Sequence, residues 1–392
     1  MLKYTQVNLE LLTDIDMVHF IKSSIRGGLS QCSGRYSKAN NKYMPSFDSS
    51  QESQYIVYLD ANNQYGWAMS QHLPVSGFRW LTQCEFDALQ LHALGDEADK
   101  GYFLEVDLQY PKELHTSHND LLFCPENMKP PYIASTTKML IANLCDKSKY
   151  IILYRNLKQC LQHGLKLSKI HRVLEFNQSP WLKPYIDLNN NLRTNAVNEF
   201  EKDFYKLMNN SVFGKTMENV DKRVDVKLIT NWENIKKRYG ANYLISKPNF
   251  HSCTIIHENL VIIQMNRVKV KYDKPTYVGF AVLELAKTLM YEFHYDYMMK
   301  KYAHNAQLLY TDTDSFIYQI KTDDYYNDIK PDLGRFDTSN YPANNQYHLP
   351  LVNKKFLGKM KDECAGNIIC SFVGTKSKSY CIKLLNELQK RD

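Results

Sequence analysis

The chain has 392 residues, 44% of them apolar and 12% aromatic, enough to fill two or three domain-sized units around a substantial core. Its formal charge of +7 suits a polyanionic partner without requiring one. Nine scattered cysteines with no CxxC pair speak against a disulfide scaffold or a zinc site, and no run reaches the ~18 apolar residues of a membrane span, so a soluble intracellular protein with no membrane partner is expected.

Taken in order, residues 1–54 begin with a helical pattern (Leu9, Leu12, Ile15, Val18, Ile21), pass Ile25-Arg26-Gly27-Gly28, and turn polar and rich in Ser and Asn. Residues 55–60 predict a short buried strand that ends on an acid. Helices are expected at 64–71, stopped by Pro74, and at 84–94; residues 102–110 alternate as a strand closed by Pro111. The stretch 112–190 is less regular, with Pro125, Pro130, Pro131, Pro180 and Pro184 around strands such as 150–154, and reads as an inserted subdomain.

A helix is predicted over 191–208, charged on one side and carrying Phe200, Phe204 and Leu207 on the other. Short strands and basic loops follow over 221–275, including Lys236-Lys237-Arg238, too short a run for a nuclear signal. A long helix over 278–302 leads into Tyr310-Thr311-Asp312-Thr313-Asp314-Ser315, where two apolar runs meet at a polar break. That pattern is a β-hairpin with acids at its tip. A strand near 368–373 precedes the basic Lys376-Ser377-Lys378-Ser379-Tyr380.

Three blocks carry chemistry. Two carboxylates one residue apart, Asp312 and Asp314, cost energy unless a cation lies between them, although Asp and Thr also make ordinary solvated turns. Asp60 ends a buried strand, and Tyr65 lies where a helix would carry its ring back over the site; an N-cap Asp followed by a core tyrosine has the same signature. Lys202 and Lys206 share one helix face and suit either a triphosphate or a solvated surface paired to Glu199 or Asp203. Beyond them, Asn210-Ser211 and Gly214 allow close approach of a flat ligand.

In order and spacing these blocks resemble motifs A, B and C of family B DNA polymerases, usually written DxxSLYP, KxxxNSxYG and DTDS. Here they read DANNQYG, KLMNNSVFG and DTDS. Lys378-Ser379-Tyr380 stands where that family has a KxY motif, and Ile25-Arg26-Gly27-Gly28 resembles its YxGG motif without the tyrosine. The 146 residues from Asp60 to Lys206 and the 98 from Gly214 to Asp312 leave room for the two insertions of the protein-primed branch, known from bacteriophages, linear plasmids and Maverick/Polinton-like transposable elements. The sequence departs from the motifs at Asn63, Gly66 and Phe213, where the family has Ser, Pro and Tyr.

The resemblance implies an α+β right-hand polymerase with an antiparallel palm sheet, helical fingers, two inserted subdomains and a truncated thumb. Its segments would be an N-terminal remnant (1–54), a first palm segment (55–115), a first insertion (116–190), fingers (191–220), a second insertion (221–275), a second palm segment (276–375), and the KxY motif with the start of a thumb (376–392). Fifty-nine residues before Asp60 are too few for the family's exonuclease domain, so proofreading is not expected.

The implied activity is primer extension by two-metal nucleotidyl transfer, with Mg²⁺ as cofactor (two ions) and primer-template DNA, dNTPs and a terminal protein as partners. Asp60 and Asp314 would bridge the metals, with Asp312 a weaker ligand. Lys206 and Lys202 would hold the triphosphate. Tyr65 would be the steric gate against a 2′-OH, and Asn210, Ser211, Phe213 and Gly214 would floor the nascent pair. Arg26, Gly27, Gly28, Lys376, Lys378 and Tyr380 would contact DNA. The competing possibility is an inactive or domesticated remnant that only binds nucleic acid.

Overall fold

The computed structural model describes residues 1–131, 137–235 and 239–385, together with the backbone of 388–391; Lys236-Lys237-Arg238 lies outside the described residues. At its centre is a six-stranded sheet in the order Ser30–Cys32, Ala306–Asp312, Ser315–Lys321, Gln54–Ala61, Met360–Asp362, Phe336–Asp337. All neighbours run antiparallel except the last pair. The three middle strands are nearly continuous apolar runs because both of their faces are covered, which is why Tyr55, Leu59, Leu308, Tyr310, Ile317 and Tyr318 are all buried.

The helix Thr276–Tyr291 packs Phe280 on Phe103 and Tyr277 on Phe78 and is apolar on nearly every side, the pattern of a helix enclosed by protein. Its one buried acid, Glu284, is satisfied by Lys287 (3.0 Å), the Asn156 side-chain amide (3.0 Å) and the Leu153 backbone N–H (3.3 Å). The single helix expected over 278–302 is interrupted: residues Glu292–Met298 form a π-helical stretch before a last α-turn, Met299–Tyr302. The wider turn lets successive aromatic groups reach inward. Tyr291 donates to the Leu122 carbonyl (2.9 Å), Tyr295 to Leu121, and His294 Nδ1 lies 2.9 Å from the Tyr318 hydroxyl.

A second sheet joins Leu73–Trp80, Lys166–Ser179, Lys100–Gln109 and Lys147–Leu153 in that order. It takes strands from both sides of residue 115, so the first palm segment and the first insertion share one sheet. The stretch expected to be irregular contains a 14-residue strand and the helices Tyr154–Gln162 and Lys183–Thr194. The helix expected over 191–208 is in fact two helices. Lys183–Thr194 ends first, and Asn198, whose side chain accepts from the Glu201 N–H at 2.8 Å, caps a new helix, Glu199–Thr216. Near the N-terminus the main helix is Ile15–Ser24, so Leu9 and Leu12 precede it. The helix expected over 84–94 shrinks to Gln83–Asp87 and one 3₁₀ turn.

Residues 221–275 form a separate three-stranded sheet, Asp225–Ile229, Leu260–Met265 and Phe250–His257, with its own small core of Ala241, Leu244, Val261, Ile263 and Met265. The last sheet pairs Tyr36–Lys38, Ile369–Lys376, Ser379–Leu384 and Leu388–Arg391. Among the described residues no helix is long and apolar enough to cross a membrane.

Burial holds His294 neutral down to about 3 and His118 down to about 4, with neighbouring histidines adding to the effect. In the unfolded chain both would take up a proton near pH 6.5. The stability these histidines contribute is therefore expected to be fully present above about pH 6.5 and to be lost as pH falls toward about 4 for His118 and about 3 for His294. In thermal melts across that range, His294→Gln should show a shallower decline than the unsubstituted protein; an identical slope would refute the assignment.

Candidate active site

The Gln54–Ala61 strand places Asp60 opposite Ser315, and the hairpin pairs Asp312 with Ser315, leaving Thr313 and Asp314 as the turn. Asp60 and Asp314 thus come to one end of adjacent strands, with the Ala61 N–H donating to the Asp314 carbonyl at 2.7 Å. Both carboxyls are partly shielded from water. Burial, then the charges of Asp314 and Glu363, push Asp60 up to about 7, while Lys361 and Lys206 oppose the shift. Asp314 is raised by burial and by Asp312 and Glu363, again against Lys206.

Asp312 behaves differently. Lys378 Nζ sits 2.9 Å from both of its carboxylate oxygens, so this acid already has its counter-charge within the protein. Lys378 pairs with Asp312 while most of its side chain stays exposed, and the carboxylate pair open to a cation is Asp60 with Asp314. Among the described residues no group of three or more His, Cys, Asp or Glu is arranged to hold a metal by itself. Two half-buried, mutually repelling carboxylates fit magnesium, which takes the rest of its oxygen shell from waters and substrate phosphates.

The hairpin turn is held from three sides. Thr313 adopts a left-handed backbone (φ 56°), uncommon for a β-branched residue. Its N–H donates to the Leu29 carbonyl at 2.8 Å, and its own carbonyl accepts from the Gln64 side-chain amide at 3.2 Å. Gly28 lies so close that an added Cβ would stand 2.3 Å from Thr313 Oγ1. Gly27 has nothing within 4 Å. Both line an apolar pocket with Tyr65, Gln64, Thr313 and Lys287.

Arg26 corrects the sequence reading. It is buried, donates to the carbonyls of Ile151 (2.9 Å) and Ser24 (3.1 Å), and stacks 3.8 Å over the Tyr150 ring. It anchors the glycine loop to the second sheet and has no free face for a phosphate.

Tyr65 stacks on Phe213, with ring centroids 4.5 Å apart and planes 18° off parallel, so motifs A and B meet directly. Asn63, left-handed at φ 43°, caps this short helix by accepting from the Gly66 N–H. On the helix Glu199–Thr216, Lys202, Lys206, Asn210 and Gly214 repeat every fourth residue along one face, and the last three are exposed. Lys202 pairs with Glu199. Ser211 donates to the Met208 carbonyl at 3.1 Å, inside its own helix. The buried asparagine of the motif is Asn209, bonded to Asn189 at 2.9 Å.

Tyr58, Asp60, Tyr310, Asp312, Asp314, Lys378 and Tyr380 line one cleft. Tyr380 meets the Tyr58 hydroxyl at 3.1 Å, and the Lys378 N–H donates to the Tyr310 hydroxyl at 2.8 Å, so the KxY hairpin is fixed to the central sheet. Lys376 is exposed and lies outside that lining. Sequence reasoning missed Glu363. It follows the three-residue strand Met360–Asp362, its N–H donates to the Tyr58 carbonyl at 2.9 Å, and its charge reaches both Asp60 and Asp314.

The chain belongs to the family of type B DNA polymerases: the family model for DNA polymerase type B, organellar and viral, matches residues 3–299. Among solved structures it resembles Phi29 DNA polymerase in an orthorhombic crystal form, at 13% identity and a TM-score of 0.55, covering 97% of this chain and 52% of that one. The Phi29 enzyme complexed with primer-template DNA and incoming nucleotide matches at 14% identity and a TM-score of 0.55, over 99% and 54%. Its binary complex with primer-template DNA matches at 13% and 0.52, over 97% and 52%. The fold is shared, and this chain spans about half the length of those polymerases. No curated protein matches it in sequence.

The two glycines of the loop separate cleanly by experiment. Gly28→Ala is expected to cost about 1–3 kcal/mol by forcing the Thr313 turn aside, whereas Gly27→Ala should stay within about 0.5 kcal/mol. Equal costs in urea unfolding would contradict the packing described.

Proposed function

We propose that this chain is a DNA-directed DNA polymerase that adds deoxynucleotides to a primer 3′-OH under the direction of a template. The observation that carries the proposal is the convergence of Asp60, Asp314 and the Lys206 face of the fingers helix at one point, with Tyr65 stacked on Phe213 beside it. Asp60 and Asp314 would hold two Mg²⁺ ions. Bound there, magnesium supplies Lewis acidity toward the 3′-OH and neutralises charge on the departing pyrophosphate.

The chain's own residues supply the rest. Lys206, exposed and within electrostatic reach of both acids, draws the α- and β-phosphates toward them and offsets negative charge that builds on the leaving group. Tyr65, held flat by Phe213, presents its ring to the sugar and leaves no room for a 2′-OH. Asn210 and Gly214 lie along the same helix face, where a base pair would rest. Tyr380 and the hairpin around Lys378 steady the primer terminus through backbone contacts that carry no sequence information.

The motif spacing, with insertions before and after the fingers helix, supports placement in the protein-primed branch. It also supports a terminal protein as primer, a virus-like mobile element as source, and work inside the cell, where nucleotides and DNA are found.

Primer extension by the purified protein with Mg²⁺ tests the proposal. Asp314→Asn should lower the extension rate at least about a hundredfold while primer-template binding persists. Unaltered extension by that variant would remove the metal assignment, and no extension by the unsubstituted protein with DNA binding retained would favour the nucleic-acid-binding remnant. Tyr65→Val should raise ribonucleotide incorporation relative to deoxynucleotides by roughly tenfold or more. Unchanged sugar selectivity would refute the gate.

A further inference from the structure

A loop that belongs to none of the motifs approaches the site from the palm side. Residues 353–359 are stitched to motif A: the Gly358 N–H donates to the Asn62 carbonyl at 2.8 Å, and the Asn62 N–H donates to the Lys359 carbonyl at 2.9 Å. The backbone of this loop is forced. Asn353 (φ 62°), Lys355 (φ 56°) and Gly358 (φ 75°) are all left-handed. A lysine in that region is strained, and it is kept there because its N–H donates to Asp337 at 2.8 Å and its carbonyl accepts from the Asn190 side chain at 3.4 Å.

The result is that Lys355 points toward the fingers. Its ammonium lies 3.4 Å from the Arg193 carbonyl, and Arg193, Lys202 and Lys354 are all near enough to act on it electrostatically. These neighbours, after burial, push the Lys355 ammonium below its ordinary value, and only Glu199 opposes them. Glu199 is paired to Lys202 and largely exposed; Asp203 faces Arg193. Arg193 Nε is buried without a hydrogen-bond partner. Four cations meeting two carboxylates, with the Arg193 Nε donor unmet, give this cluster a positive excess that suits an anion.

We infer that Lys354 and Lys355 of this loop, with Arg193 and Lys202, bind the polyphosphate tail of the incoming nucleotide and the pyrophosphate it becomes. The position suits that ligand. Asn62 is two residues from Asp60, and Lys202 lies one helical turn, about 5.4 Å, before Lys206. A nucleotide whose α-phosphate rests between Asp60, Asp314 and Lys206 would send its outer phosphates along the helix toward Lys202 and into this cluster. The inference rests on the polymerase reading for the site, but the binding it asserts does not require catalysis.

Calorimetric titration of inorganic pyrophosphate and tripolyphosphate into the full chain tests it. Lys355→Asn is the informative variant, because asparagine tolerates the left-handed backbone while removing the charge. It should weaken both anions roughly tenfold, and Lys355→Arg should restore most of the affinity. Equal affinity of Lys355→Asn and the unsubstituted protein for both anions, with matching melting temperatures, would overturn the inference. So would a loss confined to a single-stranded oligonucleotide, which would assign the lysine to the DNA backbone. If the unsubstituted protein fails to extend primers yet loses pyrophosphate binding on Lys355→Asn, the anion site stands and the polymerase reading falls. If primers are extended but neither the Km for nucleotide nor the pyrophosphate affinity depends on Lys355, the polymerase reading stands and the anion site falls.

Discussion

The repulsion between Asp60 and Asp314 is the constraint around which the structure is arranged. Two carboxylates brought together and partly shielded from water favour neutrality or separation, and Asp60 accordingly rises to about 7. Only a rigid frame keeps them together. The register that sets Ser315 opposite both Asp60 and Asp312 supplies it, backed by strands whose Tyr55, Leu59, Ile317 and Tyr318 are closed to solvent and by a helix apolar on nearly every side. A one-residue slip of either strand would turn the acid into the core, so the packing that stabilises the sheet also fixes the site.

The elements around this frame each hold one portion of it. The glycine loop presses on Thr313, Gln64 ties that turn to the Thr276–Tyr291 helix through the Ala286 carbonyl at 3.0 Å, and Arg26 ties the loop to the second sheet. The Tyr65–Phe213 stack then couples the short helix after Asp60 to the helix Glu199–Thr216. Any motion of that helix that carried Lys206 toward or away from the acids would shift the same stack, because Lys206 and Phe213 ride on one helix.

How much of this was legible in the sequence depended on which force dominated locally. The motif A strand and the hairpin were legible because burial on both faces leaves a continuous apolar run with acids at its end. The fingers helix was found but misplaced: two helices abut with apolar residues running through both, and only the Asn198 cap marks the join. Pro184 was read as a break, yet it stands in the first turn of Lys183–Thr194, where proline's missing N–H costs nothing. The strand Lys166–Ser179 was missed because its first half is polar and half-exposed. Arg26 was read as a DNA contact from its neighbours in sequence, and only the fold shows Tyr150 beneath it. Glu363, Arg193 and Lys355 had no local signal, since each reaches the site from a short strand, a helix end or a strained loop.

The two acids of the hairpin, one residue apart, would share a face in a continuous strand, and the turn between them explains why only Asp312 is ion-paired. Asp312 is the last residue of its strand and faces the KxY hairpin, where Lys378 neutralises it with both oxygens engaged. Asp314 lies beyond the left-handed Thr313, and its charge acts on Asp60. With Asp312 paired internally, the unbalanced charge is confined to Asp60 and Asp314, on the side approached by the Lys206 face of the fingers. The hairpin can therefore stay folded without a ligand and still present its remaining negative charge where cations and a nucleotide would meet it.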